Sequence, residues 1–300
     1  MDVRHLDLLR ELADRGSVTA VAAATHRTPS AVSQQLRSAE RAFGVPLVEA
    51  RGRGVRLTDA GRVLAASGRD VALAVAEAEA RWQDFRGTVA GTVSIAALPS
   101  AATFLLPGVL RELADEPVDV VCTDIDIAEA AYAGQAVDHD IVIAHSALRS
   151  PTHADDLVVR RLAREPLDIA MAAGHPLAAH EVVTPDDLVA WPWIGVPLGY
   201  PFDSIRLAVE EATGRLVDVR QRVRDNRLVE ALVGAGECLA VLPRFTAPAG
   251  DEVVLRPIAG IVSGRHVLAI LRPDRAQRRV VRRVLEALTT VGGRYSGSGG

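Results

Sequence analysis

The sequence predicts an α+β multi-domain protein that begins with a winged helix-turn-helix, continues through a linker helix and ends in an α/β domain. Its 300 residues, 49% of them hydrophobic, exceed the usual size of one domain and can bury more than one core. Apolar residues recur at helical spacing in residues 3–43 and again in residues 58–86. After residue 92 the pattern changes to strands that alternate with helices, which indicates an α/β architecture.

Composition limits where the chain works and what it binds. No apolar run reaches the roughly 18 residues that cross a bilayer, and no signal-peptide pattern is present, so we expect a cytoplasmic protein with no membrane partner. Cys122 and Cys238 lie in apolar runs without metal-ligand spacing, so we expect two reduced core thiols and neither a metal nor a cofactor. The net charge of −4 hides an asymmetry, because residues 1–62 hold ten arginines against seven acidic residues.

Two short helices are predicted at the start of the chain. Apolar residues from Val3 to Leu12 recur at helical spacing, and Gly16 follows the last turn, where a C-terminal cap is expected. Ser17 is then a candidate N-cap for a second helix, Val18–Ala24.

A third helix is predicted from Thr28 as N-cap and Pro29 as first helical residue to the position before Gly44. Its polar face carries hydroxyl, amide and guanidinium groups: Ser30, Ser33, Gln34, Arg37 and Arg41. Small side chains allow a helix to approach base edges closely, and amide and guanidinium groups suit contacts with adenine, guanine and phosphate in the major groove. The alternative is an ordinary three-helix bundle whose polar face is solvated.

A β-hairpin is predicted next, with two short apolar strands around a tip of glycine and arginine between residues 43 and 58. Arg51, Arg53 and Arg56 on such a wing would lie along the phosphate backbone, adding salt-dependent affinity without reading bases. The alternative is a loop with solvated charges.

The run SVTAVAAATHRTPSAVSQQLRSAERAFGVPLVEARGRGVRLTDAG, residues 17–61, resembles the N-terminal pattern of the LysR family of bacterial transcription regulators. The resemblance implies double-stranded DNA as a partner. The candidate DNA-binding residues are Thr28, Pro29, Ser30, Ser33, Gln34, Arg37, Arg51, Arg53 and Arg56. One departure is that the family usually has a Phe and an Arg in the segment filled here by Val48–Arg51, which bears on how the start of the wing packs.

A long linker helix is predicted from Thr58 to Arg86, because this stretch holds no proline. Large and small apolar residues alternate along it at spacings of four and three, the pattern of a heptad seam. The candidate dimerisation residues are Leu64, Val71, Val75, Ala78, Trp82 and Phe85, with Gly68 as a position where two helices approach closely. The alternative is packing on the chain's own domain, whereas the family resemblance implies dimers and often tetramers.

The C-terminal part is predicted to alternate strands and helices. The strands are Val93–Leu98, Val118–Thr123, Asp140–Ala144, Leu167–Ala172, Trp193–Val196, Val217–Val223, Cys238–Leu242 and Val267–Leu271. The helices are Ala102–Ala114, Ile127–Ala133, Asp186–Val189, Ser204–Ala212, Arg227–Val233 and Gln277–Val291.

The LysR resemblance continues here through LLPGVLREL, DIVI, GHPLA and LVGAGECLAVLP. It implies a two-lobed α/β periplasmic-binding-protein-like effector domain, with a small-molecule effector in the cleft and chain crossings near residues 161–166 and 263–268. The expected domains are 1–58 (winged helix-turn-helix), 59–87 (linker and dimerisation helix), 92–163 with 268–291 (lobe I), 164–267 (lobe II) and 292–300 (disordered tail).

Candidate effector-binding residues lie at strand ends and helix starts that would face this cleft. Ser100 and Thr103 at a helix N-terminus would favour a carboxylate, the alternative being a simple cap at Ser100. Asp124 and Asp126 could together bind an ammonium or guanidinium group, or be solvated loop acids.

Further candidates come from the second lobe. Tyr200 and Phe202, on a loop rich in glycine and proline, would line the cleft, or else belong to the core. Asn226 would cap a helix, and Gly236 would let a loop pass close to a ligand.

Two other function classes compete with a ligand-controlled regulator. A two-lobed α/β domain could be an enzyme, but GxSxG, P-loop, HExxH and complete dinucleotide-binding motifs are absent from the sequence, so we do not expect an enzyme. A DNA-binding protein with a vestigial cleft is the second alternative.

Overall fold

The computed structural model describes residues 2–52, 54–87, 89–147, 151, 154, 156–200, 202–247 and 251–296. Its contacts divide the chain into two units: Met1–Thr88 with Arg272–Arg279, and Val89–Leu271 with Val280–Gly300.

The helices are α1 (Val3–Arg15), α2 (Val18–Ala24), α3 (Pro29–Phe43), α4 (Asp59–Arg86), α5 (Pro99–Glu112), α6 (Tyr132–Gln135), α7 (Pro185–Leu188), α8 (Asp203–Thr213), α9 (Asn226–Gly234), α10 (Pro273–Gln277) and α11 (Arg279–Ser296). The strands are β1 (Val48–Arg51), β2 (Gly54–Leu57), β3 (Gly91–Ala97), β4 (Val118–Asp124), β5 (Ile141–Ser146), β6 (Val158–Glu165), β7 (Leu167–Ala172), β8 (Trp193–Gly195), β9 (Val219–Arg222), β10 (Leu239–Pro243), β11 (Val253–Arg256) and β12 (Arg265–Leu271).

The three N-terminal helices form with the predicted caps. The Ser17 hydroxyl accepts from the Ala20 N–H and the Thr28 hydroxyl from the Ala31 N–H, so each satisfies a donor that a helix start leaves free. Gly16 and Gly44 end α1 and α3 in the left-handed region, each with φ near +72°, which glycine adopts without strain. One apolar core holds the three helices together.

The predicted wing is an antiparallel hairpin of β1 and β2, in which Val48 lies opposite Leu57. The departure from the family pattern at the start of this hairpin does not disrupt it, because Leu47 and Leu57 are buried and Val48 packs half-buried against the same core. The Thr58 N–H also donates to the Leu47 carbonyl and closes the hairpin before α4.

The long helix α4 packs on α1, and its two glycines make this packing close. A Cβ at Gly68 would lie 2.5 Å from the Leu6 carbonyl oxygen, and one at Gly61 would clash with the Leu47 carbonyl. The expectation that Gly68 lets a second copy approach is therefore wrong, since its surface is used within the chain. Leu64 likewise packs partly against the N-terminal core.

The C-terminal unit contains two five-stranded sheets, as expected for two lobes. The lobe I sheet has the order β4-β3-β5-β12-β6, and the lobe II sheet has the order β11-β7-β10-β8-β9. In lobe I, β3 runs parallel to β4 and β5, while β12 is antiparallel to β5 and β6.

The chain passes between the two sheets at two places. Pro166 separates β6 from β7, and residues 257–264 separate β11 from β12. The predicted lobe boundaries at residues 163/164 and 267/268 are wrong by two or three positions, because residues 163–165 pair with residues 265–267 inside the lobe I sheet.

Two strands were not predicted. The sequence of β6, VVRRLARE, carries three arginines that resemble a charged loop, yet β6 forms the edge of its sheet, where outward side chains meet solvent. The four-residue β11 is also an edge strand, and it is too short to show alternation.

The C-terminal end departs from the expected single helix and disordered tail. An extended residue, Arg278, separates α10 from α11, and α11 continues to Ser296. Gly292 lies against the backbone of Leu162, where a Cβ would come 2.9 Å from the carbonyl carbon, and Tyr295 packs on Phe104 and Phe245. Residues 292–296 are therefore helical, and residues 297–300 lie outside the described residues.

Cys122 is exposed on the edge strand β4, which corrects the expectation of a core thiol, and Cys238 is half-buried. Within the described residues, no helix combines the length and apolar content that a membrane crossing requires.

Candidate functional site

The first candidate surface is the polar face of α3. Val32, Leu36 and Ala39 are buried on one side of this helix, which fixes its rotation. The opposite side presents predicted contact residues to solvent: Thr28, Pro29, Ser30, Gln34 and Arg37 are exposed and Ser33 is half-buried. The structure thus brings the six predicted α3 residues together on one accessible face.

Hydrogen bonds order the start of this face and leave its centre open. The hydroxyls of Thr28 and Ser30 lie 2.9 Å apart. The amide of Gln35 donates to the Arg4 carbonyl at 2.9 Å, which ties that side chain to α1. Its neighbour Gln34 has no hydrogen-bond partner among the described residues, so its amide is available to an external partner.

The wing offers fewer free charges than predicted. Arg51 is exposed, and Arg53 lies outside the described residues. Arg56 forms an ion pair with Glu49 on the facing strand. Because both partners are solvent-exposed, this pair is worth at most about 1 kcal/mol, so a phosphate can compete for Arg56.

The second candidate site is a cavity of about 190 Å³ between the two lobes. It is lined from lobe I by Leu98, Pro99, Ser100, Thr103, Asp126, His145 and Arg265, and from lobe II by Val196, Tyr200, Phe202, Arg224, Asp225, Asn226, Arg227, Glu230 and Thr246. Six of the eight predicted effector residues therefore meet here: Ser100, Thr103, Asp126, Tyr200, Phe202 and Asn226.

A buried ion pair closes the inner end of this cavity. Arg265 is 1% exposed and donates to the Glu165 carboxylate from Nη2 at 2.5 Å and from Nε at 2.8 Å. Arg265 also donates to the Ser100 hydroxyl at 2.7 Å, and its guanidinium lies 5.2 Å from the centre of the Phe202 ring. Neither charged residue was predicted.

The Ser100 hydroxyl is therefore held by Arg265, and no side chain caps α5, which excludes the simple-cap alternative. The Thr103 hydroxyl donates to the Pro99 carbonyl at 2.9 Å, one turn earlier in the same helix.

The two predicted aspartates are separated. Asp126 lines the cavity, and its carboxylate lies 3.6 Å from Arg224. Partial burial raises the pKa of Asp126, against the opposing effect of Arg224. Asp124 ends an exposed stretch of β4 and does not line the cavity, so the predicted cation site made by both acids is wrong.

The lobe II predictions have mixed outcomes. Tyr200 donates to the Asp126 carbonyl at 3.4 Å across the cavity, whereas Phe202 both lines it and belongs to the lobe II core. Asn226 lines the cavity but does not cap α9, because the Asp225 carboxylate accepts from the Leu228 N–H. Gly236 is exposed outside the cavity, so its predicted approach to a ligand is wrong.

Sequence reasoning missed Arg265, Glu165 and His145. Arg265 and Glu165 are 100 positions apart and meet only because β6 and β12 pair, and β6 was not predicted. His145 extends the apolar run Ile141–Ala144, where a lone histidine gave no metal-ligand pattern. The one sequence signal that could have identified Arg265 is its charge directly before His266 and the apolar run Val267–Leu271. Across the part of the chain that the structure describes, no His, Cys, Asp and Glu side chains group to hold a metal ion.

The exposed side of α4 carries the predicted seam. Trp82 and Phe85 are 60% and 81% exposed, and their rings stack with centres 5.6 Å apart. Val75 is also exposed, Ala78 is exposed and Val71 is half-buried. Large apolar side chains left in water at successive helical turns are characteristic of a surface that another molecule covers.

Two protein-family models match the chain. The model "Bacterial regulatory helix-turn-helix protein, lysR family" matches residues 3–62, and the model "LysR substrate binding domain" matches residues 86–293. The HTH-type transcriptional regulator GbpR of Rhizobium radiobacter is 28% identical over 201 residues. That match covers 65% of this chain and 65% of GbpR, just under two thirds of its length.

Solved structures share the fold. Full-length OxyR from Pseudomonas aeruginosa superposes with a TM-score of 0.64 at 18% identity, covering 96% of this chain and 94% of OxyR. Full-length CbnR complexed with its target DNA gives a TM-score of 0.55 at 20% identity, and the match covers 97% of this chain and 100% of CbnR. Because its two family models together span the helix-turn-helix and both lobes, the chain belongs to the LysR family of transcriptional regulators, with a DNA-binding domain followed by an effector-binding domain.

Proposed function

We propose that α3 enters the DNA major groove and reads base edges with Ser30, Ser33, Gln34 and Arg37, while Thr28 and Pro29 set the start of the helix against the backbone. Gln34 suits a bidentate contact with adenine, and Arg37 suits guanine or a phosphate. The wing arginines, Arg51, Arg53 and Arg56, would contact phosphates and fix the register.

The observation that carries this proposal is the exposure of Gln34 and Arg37 beside buried Leu36. The core fixes which way α3 faces, so these two side chains cannot turn inward without exposing apolar residues. The neighbouring Gln35 is bonded to Arg4, which shows that the two adjacent amides have different surroundings. CbnR, a protein of this fold, has been solved with its target DNA.

We propose further that the cavity between the lobes binds the small-molecule effector. Its volume of about 190 Å³ is far larger than a single water needs, which leaves room for a compact metabolite. A ligand that contacts both lobes favours one arrangement of them over another, and only such differential binding can shift a regulator between states.

The oligomer and the location in the cell complete the proposal. A second copy would cover the α4 seam of Val71, Val75, Ala78, Trp82 and Phe85, giving a two-fold dimer suited to a pseudo-palindromic site. Pairs of dimers would form tetramers. The proposed domains are those predicted, with the lobe boundaries moved to Pro166 and residues 257–264 and the C-terminal part of lobe I extended to Ser296. A regulator of bacterial chromosomal DNA would work in the cytoplasm.

Fluorescence anisotropy with a labelled duplex from upstream of the gene tests the DNA proposal. Gln34→Ala and Arg37→Ala should each weaken binding by about 1–3 kcal/mol, the usual worth of a bidentate base contact. Arg86→Ala is the matched control, because this exposed arginine lies at the far end of the 28-residue α4, about 40 Å along the helix from the wing. Equal affinities for the wild type and both α3 variants would contradict the assignment.

Thermal unfolding of the full chain with a panel of small organic acids and amines tests the effector proposal. A compound that occupies the cavity should raise the melting temperature without being consumed. It should also change the affinity of the same chain for its duplex. A compound that raises the melting temperature but leaves DNA affinity unchanged would not be an effector.

A further inference from the structure

In the buried pair Arg265–Glu165, the arginine also donates hydrogen bonds to groups that line the cavity, whereas the carboxylate has no hydrogen bond to a cavity-lining group other than Arg265 among the described residues. Both oxygens of Glu165 are occupied, because Oε2 accepts from Arg265 and Oε1 accepts from the Phe245 N–H at 3.0 Å. Arg265 still donates to two further groups, Ser100 and His145, and both of these line the cavity. A buried ion pair adds little net stability because desolvation opposes it, so its value here lies in what it orients.

Arg265 determines which nitrogen of His145 carries the proton. A guanidinium only donates hydrogen bonds, so His145 Nδ1, 3.2 Å from Nη1, must accept. The ring proton then sits on Nε2. Burial and the adjacent Arg265 charge both lower the pKa of His145, which keeps the ring neutral. Nε2 is buried and has no hydrogen-bond partner among the described residues.

The same logic applies to Ser100. Its oxygen accepts from Arg265 Nη2 at 2.7 Å, so its own hydrogen is available to another acceptor. Ser100 lies in the first turn of the 14-residue α5, whose N-terminal end favours negative charge. Thr246 adds another hydroxyl to the lining, and its oxygen is also buried without a partner among the described residues.

We propose that Arg265 fixes Ser100 and His145 as hydrogen-bond donors, and thereby makes the inner end of the cavity a subsite for a group that only accepts hydrogen bonds, as a carboxylate does. Arg265 and Glu165 are positioning residues in this arrangement, and His145 contacts the ligand. An ammonium group is disfavoured, because its donors would meet the Nε2–H and Ser100 O–H donors. The inference rests on the cavity being the effector site.

Nitrogen-15 NMR of the full chain with labelled histidine tests the donor arrangement directly. The His145 signal, assigned by its loss in His145→Gln, should show a neutral ring protonated at Nε2. Added sodium acetate at constant ionic strength should shift this signal saturably, whereas methylammonium chloride should not. A ring protonated at Nδ1, a charged ring, no response to acetate, or an equal response to methylammonium would overturn the proposal.

Acetate binding by two variants, one inside the subsite and one outside it, tests whether the Ser100 hydroxyl contacts the ligand. Ser100→Ala should weaken acetate binding about tenfold, the effect of losing one hydrogen bond to a charged group. Thr289→Ala should leave it unchanged, because that hydroxyl lies outside the cavity and donates to the Leu285 carbonyl within α11. Equal acetate binding by Ser100→Ala and the wild type would exclude Ser100 from the subsite. DNA binding measured without any ligand does not depend on these donors, so its failure would instead contradict the proposed function.

Discussion

His145 is buried among aromatic and charged side chains of the C-terminal unit. Its ring contacts Tyr132 and Phe202 at its edges, and Arg265 lies against Nδ1. Burial, reinforced by the Arg265 charge, lowers the pKa of His145 well below its usual 6.5. The folded chain therefore keeps this ring neutral where the unfolded chain protonates it.

This difference predicts how stability depends on pH. Above pH 6.5 both states are neutral at His145 and the contribution is constant, while below pH 6.5 only the unfolded state gains the proton and stability falls. The loss should approach about 1.4 kcal/mol per pH unit for this one group. In urea unfolding followed by tryptophan fluorescence, His145→Gln should show a shallower fall below pH 6.5 than the wild type.

The control for this experiment is His180→Gln, which replaces a histidine exposed in the folded chain. It should retain the wild-type slope. A wild-type slope in His145→Gln as well would show that other groups, such as His175, whose pKa is also lowered by burial, account for the acid sensitivity.

Among the elements, α11 shows how a packing contact overrides composition. The sequence Gly-Gly-Arg-Tyr looks unfavourable for a helix, yet Gly292 allows the helix to lie against Leu162 and Tyr295 reaches an aromatic cluster. Gly293, one position later, has no heavy atom within 4 Å of where a Cβ would stand. A side chain is therefore excluded by packing at Gly292 but not at Gly293.

Gly292→Ala should destabilise the chain by about 1–3 kcal/mol, the usual cost of overpacking, because the new methyl meets the Leu162 carbonyl. Gly293→Ala is its matched control and should be neutral or stabilising by up to about 1 kcal/mol, because alanine favours a helix interior over glycine. The urea midpoints of the two variants and the wild type provide the comparison. Equal midpoints for Gly292→Ala and Gly293→Ala would mean that this turn does not pack as described.

Local signals in the sequence predicted much of the fold. The structure confirms features that depend on a few adjacent residues. These are the N-caps Ser17 and Thr28, the C-terminal glycines Gly16 and Gly44, and the apolar spacing of α3. The strand β6 was not predictable in this way, because its pairing partner β12 lies about a hundred residues away and its arginines resemble those of a loop.

The candidate cavity was predicted only in part for the same reason. Ser100, Tyr200 and Phe202 stand beside turn and helix-start signals that a sequence displays, and they line the cavity. Arg265 and Glu165 acquire their roles only through pairing across the sheet. Asp124 was wrongly predicted to line the cavity, because its sequence separation from Asp126 does not determine the direction of the chain after β4.

For the whole molecule, the exposed stack of Trp82 and Phe85 predicts self-association through α4. A Trp82→Ala/Phe85→Ala variant should lose apolar contact area at the proposed seam and dissociate at concentrations where the wild type is dimeric. Sedimentation velocity over a concentration series measures this. Val63→Ala, which trims another exposed apolar residue of α4, should stay dimeric.

An undiminished association of the double variant would place the dimer contact elsewhere on the chain. Loss of association with retained folding, measured by circular dichroism, would support the seam. Monomeric chains should also bind one half-site with lower affinity than the dimer binds two, because the second contact is then no longer intramolecular.

Selection from randomised duplexes tests whether α3 reads DNA sequence through Gln34 and its neighbours. The wild type should enrich one preferred site, and Gln34→Ala should enrich a site that has lost its base preference at a defined position in each half while keeping the others. If the wild type, Gln34→Ala and Arg37→Ala all enriched the same site with every base preference intact, α3 would not be the element that reads the bases.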